Sequence, residues 1–119
     1  MDDDRLVIVA ESADEAVASS VVLDPSPWRA GEPAVLRHYL AFGGGRAEDA
    51  VHVAEINGYQ VITGAAGPAG AEVPDDMVAF AKLESFTTVD VSRERSRIAS
   101  MASRHRGTVL GWQVLQLPE

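Results

Sequence analysis

Cysteine is absent from this chain of 119 residues, which excludes disulfides, thiolate nucleophiles and zinc sites built on sulfur. Long apolar runs are missing too: none approaches the roughly 20 residues that a membrane-spanning helix needs. Positive charge is scarce, with ten lysines and arginines against 18 aspartates and glutamates, for a formal net charge of -8. A surface of that sign repels a phosphate backbone on average and argues against strong nucleic-acid binding. What is present is 46% apolar and 24% charged residues, enough to bury one core in a globular domain of ordinary size. The opening Met1-Asp-Asp-Asp4 is acidic, the reverse of a secretory leader's basic start. A cytoplasmic protein is therefore expected.

The charge is unevenly spread. Residues 1–35 carry eight acidic and two basic groups, and residues 36–89 carry seven and three. Residues 90–119 reverse the balance, with five arginines against three acidic groups. The last third is a basic island on an acidic molecule.

Leu6–Ala10 is a short β-branched run and reads as a strand. Ser12-Ala-Asp-Glu15 has capping-box spacing and predicts a short helix ending near Val22. Three prolines within Asp24–Pro33 forbid helix and central strand alike. Residues 1–35 are thus expected to form an N-terminal arm and linker, with Trp28 as an apolar latch, and residues 36–119 the main domain. There, Leu36–Phe42 is a strand with His38, Leu40 and Phe42 on one face and Arg37, Tyr39 and Ala41 on the other. Arg46–Ile56 is a helix with a stripe of Ala47, Ala50, Val51 and Ala54, stopped by Asn57-Gly58. Tyr59–Thr63 and Met77–Val89 are strands, the latter with a bend near Glu84-Ser85, joined by an exposed Gly-, Ala- and Pro-rich connection over 64–76. Asp90 or Ser92 is expected to cap a helix to about Arg106, with Val91, Ile98, Met101, Ala102 and His105 as its apolar stripe. Thr108–Leu117 is the final strand.

From residue 36 the order is strand, helix, strand, strand, helix, strand. That predicts an α+β, ferredoxin-like βαββαβ sandwich carrying a strand–helix arm. Its first and third strands should be central, with both helices on one face. The opposite face then requires cover from the arm or from a second subunit in a homodimer.

Few residues carry chemistry. Gly43-Gly-Gly-Arg46 lies between strand and helix but lacks a Walker or dinucleotide pattern, and reads as a turn. His38, His52 and His105 form no metal-ligand spacing; Glu48 and His52, one turn apart, read as a solvated face. No nucleophile elbow is found, and of the paired carboxylates Glu48-Asp49 reads as a complement to a helix N-terminal dipole and Asp75-Asp76 as part of a loop. Neither metal nor cofactor nor catalytic residue is expected. The basic helix offers more. Arg93, Arg97 and Arg104 stand at i, i+4 and i+11, so that all three fall within about 40° around a helix. Such a row suits an acidic protein partner, RNA phosphates or another copy of the chain.

Three segments carry a resemblance: Arg37-His-Tyr-Leu-Ala-Phe42, Asn57-Gly-Tyr-Gln-Val61 and Arg106-Gly-Thr-Val-Leu-Gly-Trp112. Together they resemble the family of the ribonuclease E inhibitor known as regulator of ribonuclease activity B, over about residues 36–116. Val109 and Leu110 depart from the family pattern, which has Tyr-Asp beside the Trp. The resemblance implies a non-catalytic regulator that binds another protein of the RNA-degradation machinery, with Gly111 and Trp112 as carried-over candidates for the contact; read as residues alone, the pair is a core aromatic packed beside a glycine. A different class remains open: a dimeric ferredoxin-like ligand-binding module or small enzyme, with a pocket built on His38, Tyr39 and Trp112. A third reading, RNA binding through the arginine helix, predicts steep salt dependence.

Overall fold

The structure, a computed structural model, describes residues 4–43, 47–63, 67–68, 74 and 76–118. In chain order the elements are β1 (Val7–Ser12), α1 (Ser19–Leu23), β2 (Pro33–Ala41), α2 (Ala47–Ile56), β3 (Gln60–Thr63), β4 (Val78–Ser85), α3 (Thr88–Arg104) and β5 (Thr108–Gln116). The five strands form one antiparallel sheet in the order β1-β5-β2-β4-β3. The protein is α+β. Among the four strands that follow the linker, the first and third, β2 and β4, are the inner pair.

The sequence expectation of a four-stranded layer needs correction. β1 pairs with β5 along Val7↔Gln116 to Ser12↔Trp112 and becomes the fifth strand. The arm thus widens the sheet and does not lie across its open face. The capping box expected at Ser12 does not form, because Ser12 ends β1 and its hydroxyl closes a turn with Asp14. α1 therefore starts six residues later than the spacing predicted, with Ala18 and not Ser12 before its first residue.

β2 alternates as the sequence dictates, but both of its faces are buried. Leu36 and Leu40 pack toward the helices, with Val91, Phe86 and Trp112 at one end and Ala54, Ile98 and Met101 at the other. Val35 and Tyr39 pack on the opposite face with Ala79, Ala81 and Leu115. Leu6, Ile62, Met77 and Leu110 complete that second layer. Pro68, from the connection expected to be exposed, is buried. Its ring approaches to 2.7 Å of where a Cβ on Gly111 would sit. The far face is thus closed largely by residues of its own chain.

The proline-rich linker is clamped. Gln116, fully buried, accepts from the Arg29 amide at 2.8 Å and donates to the Arg29 carbonyl at 2.9 Å. The Gly31 amide donates to the Phe86 carbonyl at 2.8 Å. Trp28 packs against the Leu23–Leu36–Trp112 cluster, as its expected latch role requires. Pro33 begins a central strand after all, which is tolerated because it is that strand's first residue.

β5 contains a bulge that decides where its side chains point. Tyr39 faces Gly111 and Leu40 faces Val109, leaving Leu110 as the extra residue. Val109 and Trp112, three apart, can therefore both face the helices. Gly111 sits at φ +155°, and a Cβ there would meet the Ser12 carbonyl oxygen at 2.4 Å. Glycine is required at this position by the passage of the neighbouring backbone.

Candidate functional site

α3 begins with a complete capping box: Thr87 Oγ1 accepts from the Asp90 amide, and the Asp90 carboxylate accepts from the Thr87 amide. The helix lays Val91, Ile98, Met101 and Ala102 on the sheet. Glu94, three residues after Val91 and four before Ile98, falls on that same stripe and is 6% exposed. A carboxylate so placed requires partners, because an unpaired buried charge costs several kcal/mol.

Two elements supply them. On β4, the alternation that turns Phe80 inward also turns Lys82 inward, and Lys82 Nζ lies 2.9 Å from Glu94 Oε1. Tyr59 follows the end of α2, where Gly58 takes φ +89° and the Tyr59 amide donates back to the Ala54 carbonyl at 3.0 Å. That turn aims the Tyr59 hydroxyl at Glu94 Oε2, to which it donates at 2.7 Å. Arg97 adds a longer ion pair to the same oxygen at 3.6 Å, and Lys82 Nζ stands 4.3 Å from the centre of the Tyr59 ring. Burial pushes the Glu94 carboxyl up, but hydrogen bonds from Lys82 and Tyr59 and the charges of Lys82 and Arg97 outweigh it and hold it below its usual value. Burial first, then the hydrogen bond to Glu94, pushes the Tyr59 hydroxyl well above its ordinary range. Both oxygens of Glu94 are taken and Tyr59 keeps its proton. The cluster is a tie between α3, β4 and the start of β3, with no free base.

A second polar knot lies beside it. The Arg95 guanidinium stacks 5.0 Å from the centre of the Trp112 ring and donates to Ser19 Oγ at 2.8 Å and the Val17 carbonyl at 3.1 Å. It also pairs with Glu15 at 3.6 Å, which shows where the carboxylate of the unformed capping box goes. Burial is the main reason the Glu15 carboxyl is raised, with Arg95 opposing. His38 stands opposite Trp112 in the β2–β5 register and meets Tyr59 edge-on at 5.9 Å. Burial drives the His38 imidazole down to about 3, against the pull of Glu94 and assisted by Arg95 and Lys82. It is neutral at any ordinary pH. Neither His38 Nε2 nor Trp112 Nε1 has a hydrogen-bond partner among the described residues.

Above the Glu94 cluster, between α2 and α3, opens a cleft of about 370 Å³. Val53, Ala54, Ile98 and Met101 form apolar wall, Tyr59 and Lys82 contribute at depth, and Arg97 and Arg104 stand on α3 at its side. Arg104 donates its Nε to the Ser100 carbonyl at 3.4 Å. A smaller depression on the other side of Arg97 is lined by Arg93, Glu84, Phe86 and Asp90.

The residues singled out from sequence divide sharply. Arg93, Arg97 and Arg104 are exposed along one edge of α3. Gly111 and Trp112, candidate contacts by resemblance, are buried, Trp112 completely, and present no surface to a partner. His38, Tyr39 and Trp112 do not line a common pocket: strand alternation places Tyr39 on the far face, where its hydroxyl donates to Gln113 Oε1 at 2.7 Å. Among the described residues no group of three or more His, Asp or Glu is arranged to hold a metal ion. Residues 44–46 of the Gly43–Arg46 turn lie outside the described residues. Sequence reading missed Lys82, Tyr59 and the inward position of Glu94. The signal was a charged residue at an inward position of a strand and another on a helix's apolar stripe.

No protein-family model, no curated protein and no solved structure matches this chain.

Two outcomes follow from the buried groups. Lys82→Met alone strands Glu94 and should cost about 3–5 kcal/mol in urea unfolding. The double variant Lys82→Met, Glu94→Leu should recover most of that loss, and equal losses in both would contradict a paired buried charge. His38 has a folded-state value below its unfolded one, so the unfolded chain binds the extra proton and stability falls as pH drops from about 6.5 toward 3. Between pH 7 and 5 this amounts to about 2 kcal/mol. Unfolding free energies at the two pH values should differ by that much in the natural chain and much less in His38→Leu.

Proposed function

We propose that this protein is a small non-catalytic regulator that acts in the cytoplasm by binding another protein, with a ribonuclease E-type RNA-degradation enzyme as the partner its sequence resemblance implies. The observation that carries the reading is the row of Arg93, Arg97 and Arg104 along an exposed edge of α3, on a chain whose formal charge is -8. Exposed guanidinium groups in a row suit carboxylates of a partner and accelerate encounter with an acidic surface. The filled interior supports the same reading. His38 and Trp112 are core residues, Glu94 is fully engaged, and Tyr59 is held protonated, so these buried polar groups serve architecture.

The fold within this proposal is ferredoxin-like over residues 36–119, with β1 and α1 as an addition at the β5 edge. The order of helices and strands and the inner placement of β2 and β4 support it. No helix among the described residues is long and apolar enough to cross a membrane.

The test uses purified ribonuclease E, a labelled RNA and the full chain. The proposal expects the natural chain to slow cleavage, and Arg93→Glu, Arg97→Glu, Arg104→Glu together to weaken that inhibition at least about tenfold while the circular dichroism spectrum is unchanged. Undiminished cleavage with the natural chain rejects the named partner. Equal inhibition by the triple variant rejects the arginine edge. Inhibition that follows binding of this chain to the RNA itself, with steep salt dependence, replaces the proposal with RNA binding.

A further inference from the structure

The cleft between α2 and α3 is distinct from the arginine row as a whole, since Arg93 lies outside it, and its walls follow a different chemistry. Four side chains, Val53, Ala54, Ile98 and Met101, give it an apolar interior. Ala54 is a small residue on the inward face of α2 and packs in one cluster with the larger Ile98 and Met101. At about 370 Å³ the space is at the low end of those that hold small molecules. Its charged lining comprises three cations, Lys82, Arg97 and Arg104, and one carboxylate, Glu94. Each Glu94 oxygen already accepts a hydrogen bond, from Lys82 or Tyr59, and the charged lining as a whole is positive, which disfavours a cationic ligand. The side offers donors. Arg97 is 69% exposed at its side chain and touches Glu94 only at 3.6 Å, and the terminal nitrogens of Arg104 extend beyond its Nε contact with Ser100. An apolar interior beside two guanidinium groups fits one kind of molecule.

We infer that this cleft is a binding site for a small amphipathic organic anion, a carboxylate on an apolar body of several carbons. The hydrocarbon lies against Val53, Ala54, Ile98 and Met101, and the carboxylate meets Arg97 and Arg104. The site goes beyond the protein-binding proposal and does not rest on it.

The experiment titrates the full ¹⁵N-labelled chain with hexanoate, octanoate, octanol and octylammonium, following amide shifts by NMR. Octanoate should give saturable shifts centred on Val53, Ala54, Ile98 and Met101. It should bind about five- to fifteenfold more tightly than hexanoate, since each buried methylene strengthens binding by up to about fourfold. Octanol should bind at least about fivefold more weakly than octanoate, and octylammonium should give no saturable shift. Arg104→Gln should weaken octanoate about fivefold, and Ala54→Leu, which fills the space, should abolish its shifts. If Ala54→Leu does not fold, the four ligands on the natural chain decide the matter alone. Equal binding of octanol and octanoate, shifts scattered over the surface, or no saturation would overturn the inference. So would a short acidic peptide that binds the same residues more tightly than octanoate, because the cleft would then be a peptide groove.

Discussion

Glu94 is carried on the face of α3 that lies against the sheet, and a carboxylate there is tolerable only because Lys82 and Tyr59 meet its two oxygens at 2.9 and 2.7 Å. Those partners come from different parts of the chain, one from the inner strand β4 and one from the turn that joins α2 to β3. Their geometry fixes how α3 sits over the sheet. A purely apolar stripe would slide more easily, since dispersion contacts lack direction. The same arrangement shapes the cleft: it places Tyr59 and Lys82 at depth and leaves Arg97 and Arg104 on the side. Architecture and candidate site thus share one buried ion pair.

Arg95, the next residue along α3, does for the N-terminal arm what Glu94 does for the sheet. Its guanidinium covers the Trp112 ring and gathers Glu15 and Val17 from the segment before α1 and Ser19 from its first position. Gln116 completes the attachment by holding both backbone groups of Arg29. An arm that looks like an appendage by its proline content is therefore bound to the domain by directional contacts at both ends. The five-stranded sheet is the consequence, and β1 becomes its outer edge beside β5.

Much of this was legible in the residues. The alternation of Leu36–Phe42, the alanine stripe of α2, the Asn57-Gly58 stop and the apolar stripe of α3 all act over a few residues, where period and capping chemistry are decisive. The helix start shifted to Thr87 because its hydroxyl and the Asp90 carboxylate can satisfy each other's amides. What escaped was long-range. Nothing local to Val7–Ser12 says that it pairs with a strand a hundred residues later, and that pairing is what removes Ser12 from its expected capping role. A core position for Trp112 beside Gly111 was a reading the sequence offered and the structure bears out; the bulge at Leu110 and Arg95 above the ring, which bring it about, are not visible in a Gly-Trp pair. For the site, the arginine edge was readable from helical spacing alone. The Lys82–Glu94–Tyr59 tie was not, since opposite charges twelve residues apart look like two solvated side chains until strand and helix faces are superposed.

The seating of α3 on the sheet depends on Glu94 being ionised and held so within the core. Its side-chain carboxyl ¹³C shift, followed by NMR against pH, reads this directly. The structure predicts a midpoint below the ordinary glutamate value of 4.5, because hydrogen bonds and charge from Lys82 and Tyr59 overcome the effect of burial. Stability supplied by this group is then present above 4.5 and lost as pH falls through the lower folded-state midpoint. A midpoint at or above 4.5 would mean that the pair does not form, and that α3 is positioned over the sheet by something else.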